Sequence, residues 1–364
     1  MGVQTTIPGT HTREEILSQP RCWGECLRTL DEKDQLRRMG TLWAPPPDWV
    51  FIGCGSSYYV ALAAAASWAA VTGLRARAVP ASEWLLFPNL VSAGGSPFQP
   101  VLISRSGYTS EVLQVARQLE LEQNRRTLAV SCATHQPLEE ISAMTLTLLP
   151  ADEKSMVMTR SFTSMLLGLQ ALAAEWAHRQ EFAAALRKLP AQFELRLESI
   201  AQSLAEFVQK RDFANYVFLG QGPYFGLAAE AQLKVKEMSC SYAQSFHTLE
   251  FRHGPKAIVS PETLVTFFLS ETGLEAEREV LEEVKGLGGT TLVVTNRADA
   301  ALRQAADLLL ELNLEVEEYA RLAAFIVAGQ LLGLNTGLKK GYDPDRPRHL
   351  SRVVILNEHN SADV

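Results

Sequence analysis

Short continuous apolar runs alternate along this chain with stretches whose apolar residues recur every three or four positions. The runs at residues 49–52, 75–79, 100–104, 127–131 and 145–149 predict β-strands, and several of the intervening stretches predict helices. Runs this unbroken suit strands covered on both faces. Strand and helix alternating at this spacing therefore imply a parallel sheet with helices packed on either side.

A polar, helical stretch at 179–210 interrupts the pattern, which then restarts at 217–219. Val50-Phe51-Ile52-Gly53-Cys54-Gly55 and Val217-Phe218-Leu219-Gly220-Gln221-Gly222 match at a fixed offset, each before an alanine-rich helix. Ile103-Ser104-Arg105-Ser106-Gly107 has an echo in Leu269-Ser270-Glu271-Thr272-Gly273 at nearly the same distance. Two copies of one α/β unit are the economical reading. Further strands are expected at 263–269, 290–295 and 306–310, before a long apolar helix at 316–336. The expected division is a helical arm (1–46), a first α/β domain (47–180), a helical connector (181–210), a second α/β domain (211–341) and a proline-rich tail (342–364). Within the arm, Thr12-Arg13-Glu14-Glu15 has the capping-box pattern, so a helix is expected to begin there and stop near Pro20. A second helix is expected over 23–38, and Pro45-Pro46-Pro47 separates the arm from the first α/β domain.

Composition narrows the class. The formal net charge is −7, from 34 basic and 41 acidic residues, and no Lys/Arg cluster stands out, so a nucleic-acid partner is not expected. The 5 cysteines carry no paired CxxC spacing, which argues against a disulfide framework or a zinc site. Cys22 and Cys26 sit one helical turn apart and read as packing. The N-terminus lacks a secretory pattern and the alanine-rich run at 60–71 is too short to span a bilayer, so the expected location is the cytoplasm, with no membrane partner. Gly53-x-Gly55 hints at a dinucleotide site, but Tyr58 stands where the third glycine would fall and no acidic residue ends the run 75–79. A phosphate-cradling GxxxxGK[ST] motif is absent too. Neither a cofactor nor a metal is expected.

Candidate chemistry concentrates in five places. Glu230, Lys234 and Glu237 share one helical face, at i, i+4 and i+7. Such a stripe alone reads as a solvated salt-bridge ladder. The turn Phe251-Arg252-His253-Gly254-Pro255 further along the chain changes the picture. A carboxylate, an ammonium and an imidazole around one segment are the groups needed to move protons on a sugar. Hydroxyls crowd three strand ends: Gly55-Ser56-Ser57, Ser104-Arg105-Ser106-Gly107-Tyr108-Thr109 and Thr159-Arg160-Ser161. One such hydroxyl would be a helix cap. Two flanking an arginine, then Gly and Thr before a helix, point to phosphate. The second copy places Glu271 in the echoing loop, so one phosphate site per chain is expected.

These motifs, with Met158-Thr159-Arg160-Ser161-Phe162-Thr163 and Phe251-Arg252-His253-Gly254-Pro255-Lys256, resemble the sugar isomerase (SIS) domain family. The resemblance spans roughly residues 49–350 and implies two tandem doubly wound parallel-sheet domains of flavodoxin-like type. Two groups look similar: tagatose-6-phosphate ketose/aldose isomerases with galactosamine-6-phosphate deaminase/isomerases, and the isomerase half of glucosamine-6-phosphate synthase. The resemblance implies a hexose or amino-hexose 6-phosphate substrate isomerised through an enediol or enediolamine, with or without deamination. It places the phosphate on Ser56, Ser104, Ser106 and Thr109, with Ser57, Arg105 and Thr159 in the same loops. It makes Glu237 the acid/base, sets Lys234 beside the developing enediolate with Glu230 alongside, and has His253 assist ring opening, often from a neighbouring subunit. Arg352 stands where the synthase's imine-forming lysine would be, and an always-protonated guanidinium forms no imine. Met158 stands where the synthase has a serine. Since Cys22 and Cys26 lie in the helical arm, glutamine-driven amination is not expected. The apolar 316–336 helix and the family habit with His253 suggest a homodimer or larger assembly. The alternatives are a non-catalytic sugar-phosphate-binding regulator, or a synthase-like isomerase without a glutaminase domain.

Overall fold

The structure is a computed structural model that describes residues 7–40, 48–91 and 97–356. The triple proline and the end of the tail lie outside the described residues. Three helices begin the chain, α1 (Thr10–Leu17), α2 (Gln19–Glu32) and α3 (Gln35–Gly40). The first α/β unit runs β1 (Asp48–Gly53), α4 (Ser56–Thr72), β2 (Arg75–Pro80), α5 (Ala81–Leu86), α6 (Pro88–Val91), β3 (Phe98–Ile103), α7 (Ser110–Arg117), β4 (Leu128–Ser131), α8 (Pro137–Ile141), β5 (Met144–Thr147) and α9 (Arg160–Trp176). A single helix, α10 (Gln180–Lys210), links it to the second. That unit runs β6 (Asn215–Gly220), α11 (Pro223–Ser239), β7 (Ala243–His247), β8 (Thr263–Phe268), α12 (Leu274–Gly286), β9 (Thr290–Thr295), α13 (Ala300–Ala305), β10 (Leu308–Glu311) and α14 (Leu322–Lys339).

Each unit forms one five-stranded sheet, ordered β2-β1-β3-β4-β5 and β7-β6-β8-β9-β10, and every pairing is parallel. The two orders are the same, the flavodoxin-like arrangement in which the chain reverses direction beside the first strand. β3, β8 and β9 are buried at every position, as a sheet covered on both faces requires. The repeat extends to backbone detail. Gly55 and Gly222 precede α4 and α11 at φ/ψ of 54°/−128° and 55°/−129°, a region closed to other residues. Two residues earlier, a Cβ on Gly53 would meet the carbonyl carbon of Ser57 at 2.6 Å, and one on Gly220 the carbonyl oxygen of Tyr224 at 2.4 Å.

The two units are fused through their helices. α11 lies between α4 of the first unit and α14 of its own, and small residues set the approach. A Cβ on Gly226 would sit 2.6 Å from the Ala63 nitrogen, and one on Gly329 2.5 Å from the Ala231 Cβ. With the preceding turn, α14 is long and apolar enough to cross a membrane, yet 83% of its most apolar stretch is buried inside the protein. It is a core helix, and its apolar surface therefore gives no reason to expect a subunit interface.

Several expectations need correcting. The capping box at Thr12–Glu15 does not form. The helix starts earlier, after Gly9 (φ 71°), and Thr12 gives its backbone N–H and hydroxyl to Asp345 in the tail, each at 2.7 Å. Glu15 instead accepts from the Ser155 backbone and hydroxyl. Pro20 opens α2, where its missing N–H costs nothing, and the helix expected over 23–38 breaks at Asp34, whose φ is 51°. One strand escaped prediction altogether. β7 is the edge strand of the second sheet, and its polar sequence Ala243-Gln244-Ser245-Phe246-His247 shows no alternation.

Candidate active site

The stripe on α11 is not a surface ladder. Glu230 and Lys234 are both fully buried, because α4 and α14 cover the helix there. A Cβ on Gly333 of α14 would lie 2.9 Å from the Lys234 carbonyl oxygen, so a larger residue would push the helix away. An ammonium held this deep needs partners, since an unpaired buried charge costs several kcal/mol. Lys234 Nζ has three: it donates to Glu237 Oε2, it lies 3.3 Å from Glu230 Oε1, and it donates to Ser56 Oγ at 3.2 Å. Burial pulls the Lys234 pKa down, but the facing Glu230 and Glu237 more than offset this and hold it above the ordinary value. Burial pushes the Glu230 carboxyl up to about 8; Lys234 pulls it back and Glu237 adds to the rise. Glu237, at 16% side-chain exposure, is the member of the group that reaches solvent.

Ser56 joins this cluster to the first sheet. It opens α4 at the carboxyl end of β1, and the loop Ser104–Thr109 follows β3, the neighbouring strand. That is the point where strand order reverses, the place where open parallel sheets hold ligands. Within the loop, the Ser104 and Thr109 hydroxyls are 3.0 Å apart and the Gly107 N–H donates to Ser104 Oγ at 3.1 Å. Gly107 has a φ of 73°, and a Cβ there would collide with the Gln136 side chain at 1.8 Å. Ser106 Oγ accepts from the Tyr108 N–H at 3.2 Å. Among the described residues the N–H groups of Arg105 and Ser106 have no protein acceptor. Two backbone donors beside Ser104, Ser106 and Thr109 are thus available to an anion.

Arg105 and Thr159 have other duties than those expected. The Arg105 guanidinium donates to Glu153 Oε2 at 3.2 Å and to the carbonyls of Val157, Met156 and Arg352. Thr159 gives its backbone N–H and hydroxyl to Glu153 Oε1 at 2.6 and 2.8 Å. Both brace the loop from behind. Glu153 is the residue that sequence reasoning passed over. Completely buried, it also accepts from the Ser161 N–H and hydroxyl and so ties the 104–109 loop to the 159–161 turn. Its signal was faint: one acidic residue in a polar turn, with partners at 105, 159 and 161.

Ser57 lies beside Met158, its hydroxyl 4.0 Å from the thioether sulfur. The Arg352 side chain turns outward to Asp152 at 2.6 Å, while its backbone carbonyl takes the Arg105 bond. The tail then crosses the start of α7, where Val354 accepts from the Ser110 N–H at 3.3 Å. His253 is exposed on the turn after β7, and no hydrogen bond or ion pair joins it to the Lys234 cluster. The geometry brings together Ser56, Glu230, Lys234 and Glu237, and it leaves His253 apart. A groove of about 490 Å³ between α1, α10 and α14, lined partly by Leu197, Leu331 and Leu334, lies away from these residues. Among the described residues no cluster of three His, Cys, Asp or Glu could hold a metal ion.

Two parallel sheets in tandem, hydroxyl-rich loops at the first switch point and a lysine–carboxylate cluster between the units define a class. The SIS domain family matches residues 47–175 and 197–334, and the chain belongs to it. Among curated relatives, glutamine–fructose-6-phosphate aminotransferase (isomerizing) from Xylella fastidiosa is 28% identical over 317 residues, covering 84% of this chain and 51% of that protein. The chain thus spans about half the length of the curated relatives it matches. Among solved structures, glucosamine-6-phosphate deaminase from Thermotoga maritima is 28% identical with a TM-score of 0.75, covering 95% of this chain and 100% of that one. Tagatose-6-phosphate ketose/aldose isomerase from Escherichia coli has a TM-score of 0.83 at 22% identity, covering 98% and 100%. That similarity is one of fold.

Proposed function

We propose that this chain is a cytoplasmic sugar-phosphate isomerase that interconverts an aldose and a ketose 6-phosphate of the hexose or amino-hexose type. One observation carries the reading: a buried lysine flanked by two carboxyl groups is hydrogen-bonded to Ser56, which opens α4 beside the hydroxyl-rich Ser104–Thr109 loop. The phosphate would occupy the Arg105 and Ser106 N–H groups with the Ser57, Ser104, Ser106 and Thr109 hydroxyls. Glu237, the carboxylate open to solvent, would take the proton from one carbon and return it to its neighbour. Lys234 would stabilise the negative charge growing on the enediolate oxygen, a task worth about 3 kcal/mol when the donor is well aimed. Glu237 keeps Lys234 charged, and Glu230, with Oε1 at 3.3 Å, keeps it aimed. A regulator that only senses sugar phosphate needs the loops but has no use for this buried triad. His253 is exposed and makes no hydrogen bond or ion pair with Glu237 within one chain, which supports an active dimer or larger assembly where a second copy supplies the imidazole.

A second outcome, deamination of an amino-sugar phosphate, uses the same proton shift with hydrolysis of an imine after it. It is supported by the similarity to a glucosamine-6-phosphate deaminase over nearly the whole chain. Amination by the synthase route is disfavoured by Arg352, whose guanidinium forms no imine and turns toward Asp152. The test is NMR of hexose and hexosamine 6-phosphates incubated with the protein in heavy water. Deuterium at C1 or C2 supports isomerisation, and released ammonia identifies deamination. Absence of both across the panel would leave the chain a binding protein.

A further inference from the structure

The second copy has a loop of the same build as the phosphate cradle, and it is already filled. Gly273 donates to Ser270 Oγ at 2.9 Å, as Gly107 does to Ser104 Oγ at 3.1 Å, so the two loops share the same turn from serine to glycine, although Ser270 also donates to Glu277 where Ser104 meets Thr109. In the first copy the next two N–H groups, of Arg105 and Ser106, have no acceptor among the described residues. In the second, the N–H groups of Glu271 and Thr272 both point at Glu318 Oε1, at 2.7 and 3.4 Å. The Thr272 hydroxyl donates to Glu318 Oε2 at 2.8 Å. One carboxylate thereby takes the donors that two oxygens of a phosphate would take, since both anions accept from N–H and O–H groups in a similar fork. Glu318 is held in place by its own turn, where Gln170 of α9 donates to the Tyr319 carbonyl at 2.7 Å. Nearby, Tyr224 is buried with a hydroxyl that has no hydrogen-bond partner, close enough for the Glu318 charge to be felt there.

We propose that Glu318 is a built-in substitute for phosphate: it occupies the anion cradle of the second copy and limits the chain to one phosphate-monoester site. This rests on the reading of the first loop as the phosphate site. The closing role itself is a separate claim, because it depends only on what Glu318 excludes. Two carboxyls remain beside the loop when Glu318 is removed: Glu271 is paired with Arg321, which donates to both its oxygens, and Glu277 accepts from the Ser270 N–H and hydroxyl, with burial pushing it up to about 7. Removing the Glu318 carboxylate frees two N–H groups and the Thr272 hydroxyl.

The experiment counts bound phosphate by calorimetry, with inorganic phosphate and with a hexose 6-phosphate as probes. It compares the full chain with Glu318→Ala, and each with the same protein also carrying Ser104→Ala and Ser106→Ala. Circular dichroism and a thermal melt check each fold. The expected stoichiometries are one for the wild type, none for the serine variant, two for Glu318→Ala and one for the combined variant. Adding Thr272→Val to the combined variant should then abolish that last site. A folded Glu318→Ala that binds no more phosphate than the wild type overturns the proposal. The absolute count answers a different question. A wild type that binds none sinks the phosphate reading of the first loop, whereas a gain of one in Glu318→Ala still supports the closing role. Glu318→Gln separates charge from occupancy, because its amide fills the space but accepts at one oxygen only; a count equal to that of Glu318→Ala assigns exclusion to charge.

Discussion

In the first copy the loop after β3 presents Arg105, paired with Glu153; in the second the loop after β8 presents Glu271, paired with Arg321. The partners have exchanged charge on the same frame. The first pair is sealed, with side-chain exposures of 6% and 0%, while the second leaves its glutamate 49% exposed. A similar exchange separates the helices. α4 and α11 follow identical glycine turns and pack against each other, yet α4 carries Ala63, Ser67 and Ala70 where α11 carries Glu230, Lys234 and Glu237. Duplication produced two equivalent switch points and two equivalent helix ends. Hydroxyls and free N–H groups stayed with one copy, the titratable cluster with the other, and Ser56 is where they touch. A repeat thus builds one site by letting each half drop a different part.

The comparison breaks first at Glu237. If the acid–base work belongs to α11 alone, Glu237→Gln should lower turnover by a factor on the order of 10² to 10⁴ with little change in affinity. Ala70→Gln, at the matching place on α4, should leave turnover unchanged. Deuterium incorporation measured on both variants decides this, and near-normal exchange in Glu237→Gln moves the chemistry off α11.

Next in size is the contrast between the ion pairs. Glu153→Ala strands a buried guanidinium and the donors of Thr159 and Ser161, and should cost about 3–5 kcal/mol. Glu271→Ala opens a half-exposed pair and should cost roughly 1 kcal/mol. Urea unfolding curves of the two variants test this; equal losses would show that the second pair is as essential as the first.

The smallest effect is the pH slope. Burial raises Glu230 to about 8 and Glu277 to about 7 from an ordinary 4.5. The folded chain therefore holds protons that the unfolded chain has released. The contribution of these two groups to stability is full below their ordinary value and is lost as pH rises through the window from about 4.5 to about 8. Glu230→Gln, which carries no titrating proton, should flatten the upper part of that fall. Calorimetric melting temperatures from pH 5 to pH 8.5 check it, and an unchanged slope would place the titrating group elsewhere.

Much of the fold is legible in the sequence, for reasons that differ by region. Strands such as β3 and β8 announce themselves because a strand covered on both faces must be apolar throughout. The Gly-x-Gly turns are legible because their backbone excludes other residues. β7 is not, since an edge strand with partly exposed side chains has no such constraint on its sequence. At the site, the spacing of Glu230, Lys234 and Glu237 shows a common face but not its burial, which depends on Gly226, Gly329 and Gly333 letting two other helices close over it. Arg105 reads as a phosphate ligand because arginine between serines invites that inference. Its real partner, Glu153, is distant in sequence and obeys no periodicity. The helix cap at Thr12 misleads for the same reason, as local pattern suggests Glu15 while the fold supplies Asp345.

The contact between Thr12 and Asp345 also bears on how the molecule is made. Gly9, His11 and Thr12 give their N–H groups to Asp343 and Asp345, up to 334 positions further along the chain. Asp345 leaves the ribosome 333 positions after Thr12, so the first turn of α1 waits without these acceptors while both sheets are synthesised. Closing so long a loop is slow, and it comes after the local β–α–β units have formed. The arm can settle on the first unit through Glu15 and Ser155, but the cap of α1 closes late, once the chain has been made through Asp345.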